Sequence, residues 1–278
     1  MSESLDSMLK KFENRGKSVS HKLEKNTAEI IQLSLWRDFE RAAPSCVLRS
    51  ALFGVVKRGR RRYLEDETLA AWGNDEIKYR GQRLDQADLD VWMEMLHLCR
   101  ETGLGATIEF EKYAFLNRIR PSQSKKSKKD WLWLESSMKR MIACCVEIKS
   151  GDKRYFGSLI ESGAIDEESG RYVLSLNSKM VTLFKAGMTL QHAEKRHLLN
   201  TDLAKWLAGD IEGHGATEKK PYYGKVESFY KRCGAEVSRL GDFRKALRKA
   251  ADELKKQKII KSWKITKDDI FQVVKWSG

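Results

Sequence analysis

The stretch SRLGDFRKALRKAADELKKQKIIKSWK, residues 238–264, predicts a basic helix followed by a basic strand. Five apolar residues recur at helical spacing and predict one buried stripe: Leu240, Phe243, Leu247, Ala250 and Leu254. A polar step at residues 266–269 leads into a second β-type run, residues 270–276, which predicts a hairpin. A helix that docks by one face, carries cations on the other and has a hairpin behind it can enter a DNA major groove as a winged helix.

The polar positions of this helix and hairpin form the first set of candidate DNA-binding residues. Arginine can bridge the O6 and N7 atoms of guanine, and both lysine and arginine neutralise phosphates. Ser238 is suited to cap the helix at its start. The candidates are Arg239, Asp242, Arg244, Lys245, Arg248, Lys249, Lys256, Lys261 and Lys264. The alternative is a solvated charged face that binds nothing.

The chain upstream indicates that the same helical unit occurs twice. The pattern Asp-Leu-x-x-Trp occupies residues 88–92 and recurs 114 residues later, and segments 110–119 and 225–233 correspond in the same way. A third helix with matched apolar spacing follows in each copy: Trp131, Leu134, Met138 and Met141 in the first, and Leu240, Phe243, Leu247 and Ala250 in the second. The alternative is one larger α+β domain with coincidental spacing.

Strand candidates accompany the helices of the first copy. Residues 145–176, after the third helix, predict a β-meander with two turns, and Asn177 is a suitable N-cap for a helix through Ala186. Further strand candidates precede the third helix: residues 61–64, 76–79 and 106–110.

The predicted fold class is α+β, with two tandem winged-helix (winged helix-turn-helix) domains. Residues 1–44 are polar and rich in Lys, Glu and Ser, so we expect a flexible N-terminal arm there. The first winged-helix domain is predicted over residues 45–187 and the second over residues 188–278.

Two further cationic runs lie in the first half. One precedes Trp131, where the dipole of the predicted third helix and the side chains both favour phosphate; its candidates are Lys125, Lys126, Lys128 and Lys129. The alternative for this run is a flexible basic loop. The other run contains Arg60, Arg61 and Arg62, which we expect to touch phosphates rather than to read bases.

Composition limits the class of protein. The formal net charge of +14 favours a polyanionic partner. A hydrophobic content of 41% with eight Trp residues is enough for real cores. No apolar run approaches the roughly 18 residues of a membrane-spanning helix, and the N-terminus has no secretory character. We therefore expect a cytoplasmic protein without membrane contact.

No pattern predicts catalysis, a metal site or a cofactor. The five cysteines are odd in number and form no Cys-x-x-Cys, which suits reduced, buried thiols. Phosphate-binding loops, nucleophile elbows and paired-histidine motifs are also missing. Tyr222 and Tyr223 could be nucleophiles of a rolling-circle nicking enzyme, but that chemistry needs a metal. We therefore expect no enzyme and assign both tyrosines to strand packing.

A short motif lies in the predicted arm. Gln32-Leu33-Ser34-Leu35-Trp36 resembles the bacterial sliding-clamp-binding pentapeptide, whose Gln, Leu and terminal aromatic side chains enter a hydrophobic pocket. A polar arm would leave such a peptide free to dock in extended form. The predicted clamp-binding residues are Gln32, Leu33, Leu35 and Trp36. The alternative is a small amphipathic patch that folds back on the body.

Together these residues resemble the TrfA-type plasmid replication initiators. Residues 49–53, Arg-Ser-Ala-Leu-Phe before a basic stretch, resemble the entry into the family's first winged helix. Cys233-Gly234 and the helix that follows, with Arg239 and Arg244, resemble the recognition element of its second domain. The pentapeptide resembles the family's clamp-binding peptide, with Trp36 in place of the usual Phe.

The resemblance implies a protein of the bacterial cytoplasm that binds repeated double-stranded DNA sites (iterons) at a plasmid origin. It implies DNA replication initiation by opening of an adjacent A+T-rich segment, with host partners: sliding clamp, initiator and helicase. It also implies a possible homodimer through the first winged-helix domain, and no covalent chemistry. The rival hypotheses are a DNA-binding transcriptional repressor and a rolling-circle nicking enzyme.

Overall fold

The computed structural model describes residues 30–33, 35–57, 59, 61–121, 125–237 and 239–276. The first part of the chain contains β1 (Glu40–Pro44), α1 (Ser45–Leu48), β2 (Phe53–Gly54), β3 (Tyr63–Leu69), β4 (Glu76–Gln82), β5 (Leu84–Asp85), α2 (Gln86–Thr102), β6 (Thr107–Glu111), α3 (Lys112–Ile119), α4 (Lys128–Ile142), β7 (Cys145–Ser150), β8 (Lys153–Gly157), β9 (Ser162–Asp166), β10 (Arg171–Ser175), a 3-10 turn (Ser178–Met180) and α5 (Val181–Ala186). The second part contains β11 (Met188–His192), α6 (Ala193–His197), α7 (Asp202–Gly213), β12 (Tyr222–Lys225), α8 (Val226–Arg232), α9 (Leu240–Lys256), β13 (Ile260–Ile265) and β14 (Ile270–Lys275).

The C-terminal unit packs three helices, α7, α8 and α9, against an antiparallel sheet of order β12-β14-β13. Four of the five predicted stripe residues are buried, namely Phe243, Leu247, Ala250 and Leu254, which confirms the amphipathic α9. The helix ends where Lys258 takes a left-handed φ of 53°. The Ile259 N–H then donates back to the Leu254 carbonyl at 2.9 Å, which satisfies the last turn.

The unit before it has the same order of elements. Helices α2, α3 and α4 accompany an antiparallel sheet of order β6-β10-β9, so the strand between the first two helices again pairs with the last strand of a hairpin. In α4, Leu134, Met138 and Met141 are buried, as are their counterparts in α9. The repeated burial pattern and strand order support the predicted pair of winged helices and the α+β class.

The predicted β-meander over residues 145–176 is wrong in one respect, because its strands belong to two sheets. Hairpin β7–β8 continues a four-stranded sheet of order β3-β4-β7-β8, whereas β9–β10 joins β6. The separation is explained by a contact with the preceding helix. Leu159 and Ile160 are buried between the two hairpins, and both of their N–H groups donate to the Met141 carbonyl at the end of α4. This anchor turns the chain from one sheet into the other.

The N-terminal segment also differs from the prediction of a flexible arm over residues 1–44. Residues 40–44 form β1, which pairs with β11 in an antiparallel two-stranded sheet. Ile31 forms a β-bridge with Leu104. Buried apolar side chains explain this attachment, since Ala42 and Ala43 are fully enclosed. Residues 1–29 lie outside the described part of the chain.

Two hydrophobic cores lie on either side of the predicted division at residue 187. The first gathers buried residues between positions 33 and 183, and the second gathers those between 199 and 273. Asn177 accepts a hydrogen bond from the Lys179 N–H at 3.0 Å and begins the helical segment that ends at Ala186, as predicted. Across the described ranges, no helix is both long and apolar enough to cross a membrane.

Candidate nucleic-acid interface

The outward face of α9 is cationic, as predicted. Arg239, the residue before the helix, is exposed, and so are Lys245, Arg248, Lys249 and Lys256. Ser238, the predicted cap, lies outside the described residues. No cysteine, histidine or carboxylate cluster within the described ranges could hold a metal ion.

Asp242 lies among these cations, in the first turn of α9. Its carboxylate is 3.7 Å from the Lys245 ammonium, one turn further along the helix. A carboxylate in the first turn also interacts favourably with the helix dipole. Asp242 is therefore explained by the local stability of the helix start, in addition to its place on the outward face.

Arg244 is half-buried and makes a bidentate salt bridge. Its Nε and Nη2 donate to the two carboxylate oxygens of Asp269 at 2.7 and 2.8 Å. These hydrogen bonds lower the pKa of Asp269 and raise that of Arg244. Asp269 ends the β13–β14 turn with a φ of 59°, where glycine or asparagine is usual. No local sequence pattern predicts this pair, which ties α9 to the tip of the hairpin.

The hairpin presents its predicted cations in different ways. Lys264 is exposed on β13. Lys261 forms an ion pair with Glu218, and its ammonium lies 5.7 Å from the centre of the Trp276 ring. On the same strand, the Trp263 Nε1 donates to Asp252 of α9 at 3.0 Å. The Trp263–Asp252 hydrogen bond therefore fixes the hairpin against α9, in addition to the Arg244–Asp269 salt bridge.

The basic run of the first unit surrounds the start of α4. Ser127 and Asp130 form a capping box, in which the Ser127 N–H donates to Asp130 at 2.8 Å. Lys125, Lys128 and Lys129 are exposed beside this helix start, where anions are favoured. Lys126 is half-buried instead, and its ammonium donates to the Arg120 carbonyl at 2.6 Å.

In the third cationic run, Arg61 differs from the prediction of a residue free to touch phosphate. Arg61 points inward, and its guanidinium forms ion pairs with Asp85 and with Asp88, the latter at 3.0 Å. Burial, reinforced by the neighbouring Asp88, raises the pKa of Asp85. Arg61 is thereby directed away from a phosphate role, because its donors serve the start of α2. Arg62 is exposed and pairs with Glu67, and Arg60 lies outside the described residues.

The pentapeptide is docked on the body. Leu33 and Trp36 are 4% and 7% exposed, and the Trp36 Nε1 donates to Nδ1 of His97 on α2 at 3.0 Å. Burial and the nearby cations, Arg41 first, lower the pKa of His97 to about 3, so the ring stays neutral and able to accept. Gln32 donates to the Arg100 carbonyl. Leu35 is 70% exposed and points into solvent, and Gln32 is also exposed.

The two tyrosines considered as nucleophiles have separate environments. Tyr222 is buried, and its hydroxyl donates to Asp210 at 3.0 Å and accepts from Arg232 at 2.8 Å. Burial, together with Asp210, raises its pKa. Both features make Tyr222 part of the second core. Tyr223 is exposed on the opposite face of β12.

Two sequence segments that suggested the family resemblance meet in space. The chain leaving residues 49–53 runs past the turn between α8 and α9, where the Val55 N–H donates to the Cys233 carbonyl at 2.8 Å. Arg83 donates to the Gly234 carbonyl at 3.1 Å. A Cβ on Gly54 would lie 3.2 Å from the Cys233 carbonyl oxygen and 2.3 Å from Nη2 of Arg83, so a larger residue would force the Arg83 side chain to move. The first unit thus supports the turn that leads into α9.

Helix, strand, two helices and a hairpin, with the early strand paired to the last one, define a winged-helix protein. Here this order occurs on both sides of residue 187. The chain belongs to the TrfA protein family, whose model matches residues 10–275.

Individual relatives agree with this family. The chain is 23% identical over 248 residues to the plasmid replication initiator protein TrfA of Escherichia coli, a match that covers 86% of this chain and 63% of that protein. It therefore spans less than two thirds of that relative.

Solved structures show the same fold at low identity. The Pi initiator protein, solved in complex with iteron DNA, matches with a TM-score of 0.50 and 14% identity over 68% of this chain and 93% of that one. Domains 2 and 3 of RctB match with a TM-score of 0.56 and 11% identity, over 83% of this chain and 97% of that one.

Proposed function

We propose that this protein is a plasmid replication initiator that binds repeated double-stranded sites, iterons, at an origin. The observation that carries the proposal is the cationic outward face of α9 within a winged-helix unit of a TrfA-family chain. α9 would enter the major groove, with Arg248 and its neighbours at base edges and phosphates. The hairpin, held by Arg244–Asp269, would lie along the backbone.

The first unit would make a second contact with the same repeat. Lys125, Lys128 and Lys129 surround the start of α4, and phosphate is the ligand that such a helix start accepts best. Two contacts per repeat would give an affinity that neither unit reaches alone. Binding energy, without covalent chemistry, would then favour opening of a neighbouring A+T-rich segment. The protein would use no cofactor.

The partners would be those of a bacterial origin in the cytoplasm. The sliding clamp would bind the pentapeptide around Leu35, and the host initiator and helicase would be recruited to the opened DNA. A homodimer through the first unit would bind its own promoter and repress it.

Footprinting on the DNA that flanks the gene tests the proposal. An initiator should protect evenly repeated sites next to an A+T-rich segment. A single protected palindrome would instead identify a transcriptional repressor, and strand cleavage of supercoiled origin DNA with a divalent metal would identify a nicking enzyme.

Replacement of Arg248 with Ala tests the assignment of α9. Arg248 is exposed, so its removal should leave the fold intact and weaken specific binding by about 1–3 kcal/mol if it contacts a base. Lys185→Ala, which likewise removes one exposed cation but from α5, is the control in the same binding titration. Equal affinity of Arg248→Ala and the control would remove Arg248 from the recognition surface.

A further inference from the structure

A buried ionic cluster joins the two units of the protein. Asp90 of α2, in the first unit, is 7% exposed. Its two oxygens accept from Arg196 Nε at 2.6 Å and from Lys205 Nζ at 2.5 Å. Arg196 belongs to α6, in the link between the cores, and Lys205 belongs to α7 of the second unit. One carboxylate therefore connects three separate helices.

Arg196 extends the cluster in both directions. Its Nη1 donates to the Lys205 carbonyl at 3.0 Å, and its Nη2 donates to Oε1 of Gln86 at 3.0 Å. Gln86 begins α2 and donates in turn to the Phe53 carbonyl. The two remaining N–H groups of the Arg196 guanidinium donate to Oε1 of Gln191 at 3.2 Å and to the Gln86 carbonyl at 3.3 Å, so all five donors are used.

Buried ion pairs contribute little net stability compared with apolar packing, because desolvation of the charges offsets their attraction. Their best-attested use is to select one arrangement among several that would bury similar apolar area. In this cluster, a shift of α7 along α2 would leave at least one buried charge without its partner. The apolar contacts around the cluster impose no such penalty, since they tolerate small displacements.

We propose that Asp90, Arg196 and Lys205 are positioning residues that fix the relative placement of α4 and α9, and with it the spacing between the two contacts on one DNA repeat. The inference rests on the proposed function, in which both units contact the same repeat. One inserted base pair moves the far contact by about 3.4 Å and rotates it by roughly 35° around the duplex. A fixed junction cannot follow such a displacement, so spacing becomes part of the recognised sequence.

The test measures the affinity of the protein for the natural DNA repeat. It also measures the affinity for repeats with one or two base pairs inserted between the sites contacted by the two units. Lys205→Met keeps the aliphatic length of the side chain and leaves the Asp90–Arg196 pair, so it is the primary variant. Asp90→Asn is the second variant and removes the shared charge. Lys275→Met is the control, because its partner Glu212 lies in the same unit.

The wild type and Lys275→Met should bind the inserted repeats roughly tenfold or more weakly than the original one. In Lys205→Met and Asp90→Asn, the ratio of the affinity for the original repeat to that for an inserted repeat should fall several-fold. A purely structural role would weaken binding at every spacing equally. An unchanged ratio in both junction variants would overturn the inference.

A measurement without DNA separates this inference from the proposed function. Spin labels on unnatural amino acids at Ser136 of α4 and Ala246 of α9, both exposed, report the distance between the two helices. We expect one narrow distance distribution in the wild type and a broader one in Lys205→Met. Equal widths would refute the positioning role even if the protein binds iterons. A broader distribution would support it even if footprinting identifies a repressor.

Discussion

Asp269 has an unusual position for a residue in a hairpin turn. Its φ of 59° favours glycine, yet an aspartate occupies the site and binds Arg244 with both oxygens. The backbone cost is on the order of 1 kcal/mol. The salt bridge with Arg244, which holds the hairpin tip against α9, offsets that cost. The pair is one-third exposed, so its value lies in orientation more than in stability.

Replacement of Asp269 with Ala should therefore weaken specific DNA binding, by roughly 1 kcal/mol. The sign is diagnostic, because loss of a negative charge alone would strengthen binding to a polyanion. Asp268→Ala removes a carboxylate from the same turn and is the matched control; it should bind equally well or more tightly. Tighter binding by Asp269→Ala would show that the pair does not orient the hairpin for DNA.

Lys258, at the end of α9, is another non-glycine residue with a left-handed backbone, at a φ of 53°. Since the left-handed conformation favours glycine, Lys258→Gly should raise the free energy of unfolding by about 0.5–1 kcal/mol. Lys256→Gly, inside the last helical turn, should lower it by a similar amount. Urea titration of both variants measures these opposite changes in the free energy of unfolding. A loss of stability in Lys258→Gly would contradict the assignment of backbone strain to Lys258.

At the scale of elements, some side chains of the docked pentapeptide pack on the body and one is exposed, a difference that the motif alone does not predict. Leu33 and Trp36 are buried against the body, whereas Leu35 is exposed. A clamp that engages all four side chains would have to displace the segment from α2. Binding would then be weaker in the whole protein than in the free peptide, by the free energy of docking.

Leu35→Ala is the clean test of clamp binding. It should abolish capture by the sliding clamp while the midpoint of urea unfolding stays within experimental error. Trp36→Ala should also abolish capture but should cost about 3–5 kcal/mol of stability, because it empties a buried site. Clamp capture that survives in Leu35→Ala would exclude this peptide as the clamp-binding element.

Local and distant features differ in how far the sequence predicts them. The stripe of α9 and its counterpart in α4 depend on spacing within one helix, so the sequence predicts both. The pairs Arg61–Asp85 and Arg244–Asp269 join residues more than twenty positions apart. No local rule selects such partners among the many charges of this chain. The split of residues 145–176 into two sheets has the same cause, since Met141 anchors it from the preceding helix.

For the molecule as a whole, Asp90 makes stability depend on pH. Although burial opposes its ionisation, Arg196 and Lys205 hold the pKa of Asp90 at about 2, below its usual 3.8. The folded state therefore binds fewer protons than the unfolded state between these values. The stabilisation is complete above about pH 5 and is lost as the pH falls from about 4 to about 2.

Urea titrations of the wild type and Asp90→Asn at several pH values check this. The difference in the free energy of unfolding should be constant near neutrality and should shrink by on the order of 2 kcal/mol between pH 5 and pH 2. Glu227→Gln, which removes an exposed ion pair, should show little such change. Parallel curves for the wild type and Asp90→Asn down to pH 2 would contradict a carboxylate held ionised by the junction.

The pairing of β1 with β11 has a consequence for synthesis on the ribosome. The Ser45 and Thr189 hydroxyls, which meet at 2.7 Å beside this sheet, are 144 residues apart in the chain. At roughly 5–20 residues per second, β1 waits about 7–30 s for its partner to be translated. During that interval its hydrogen-bonding edge is open to other nascent chains. We expect slow translation or crowded polysomes to lower the yield of correctly closed protein.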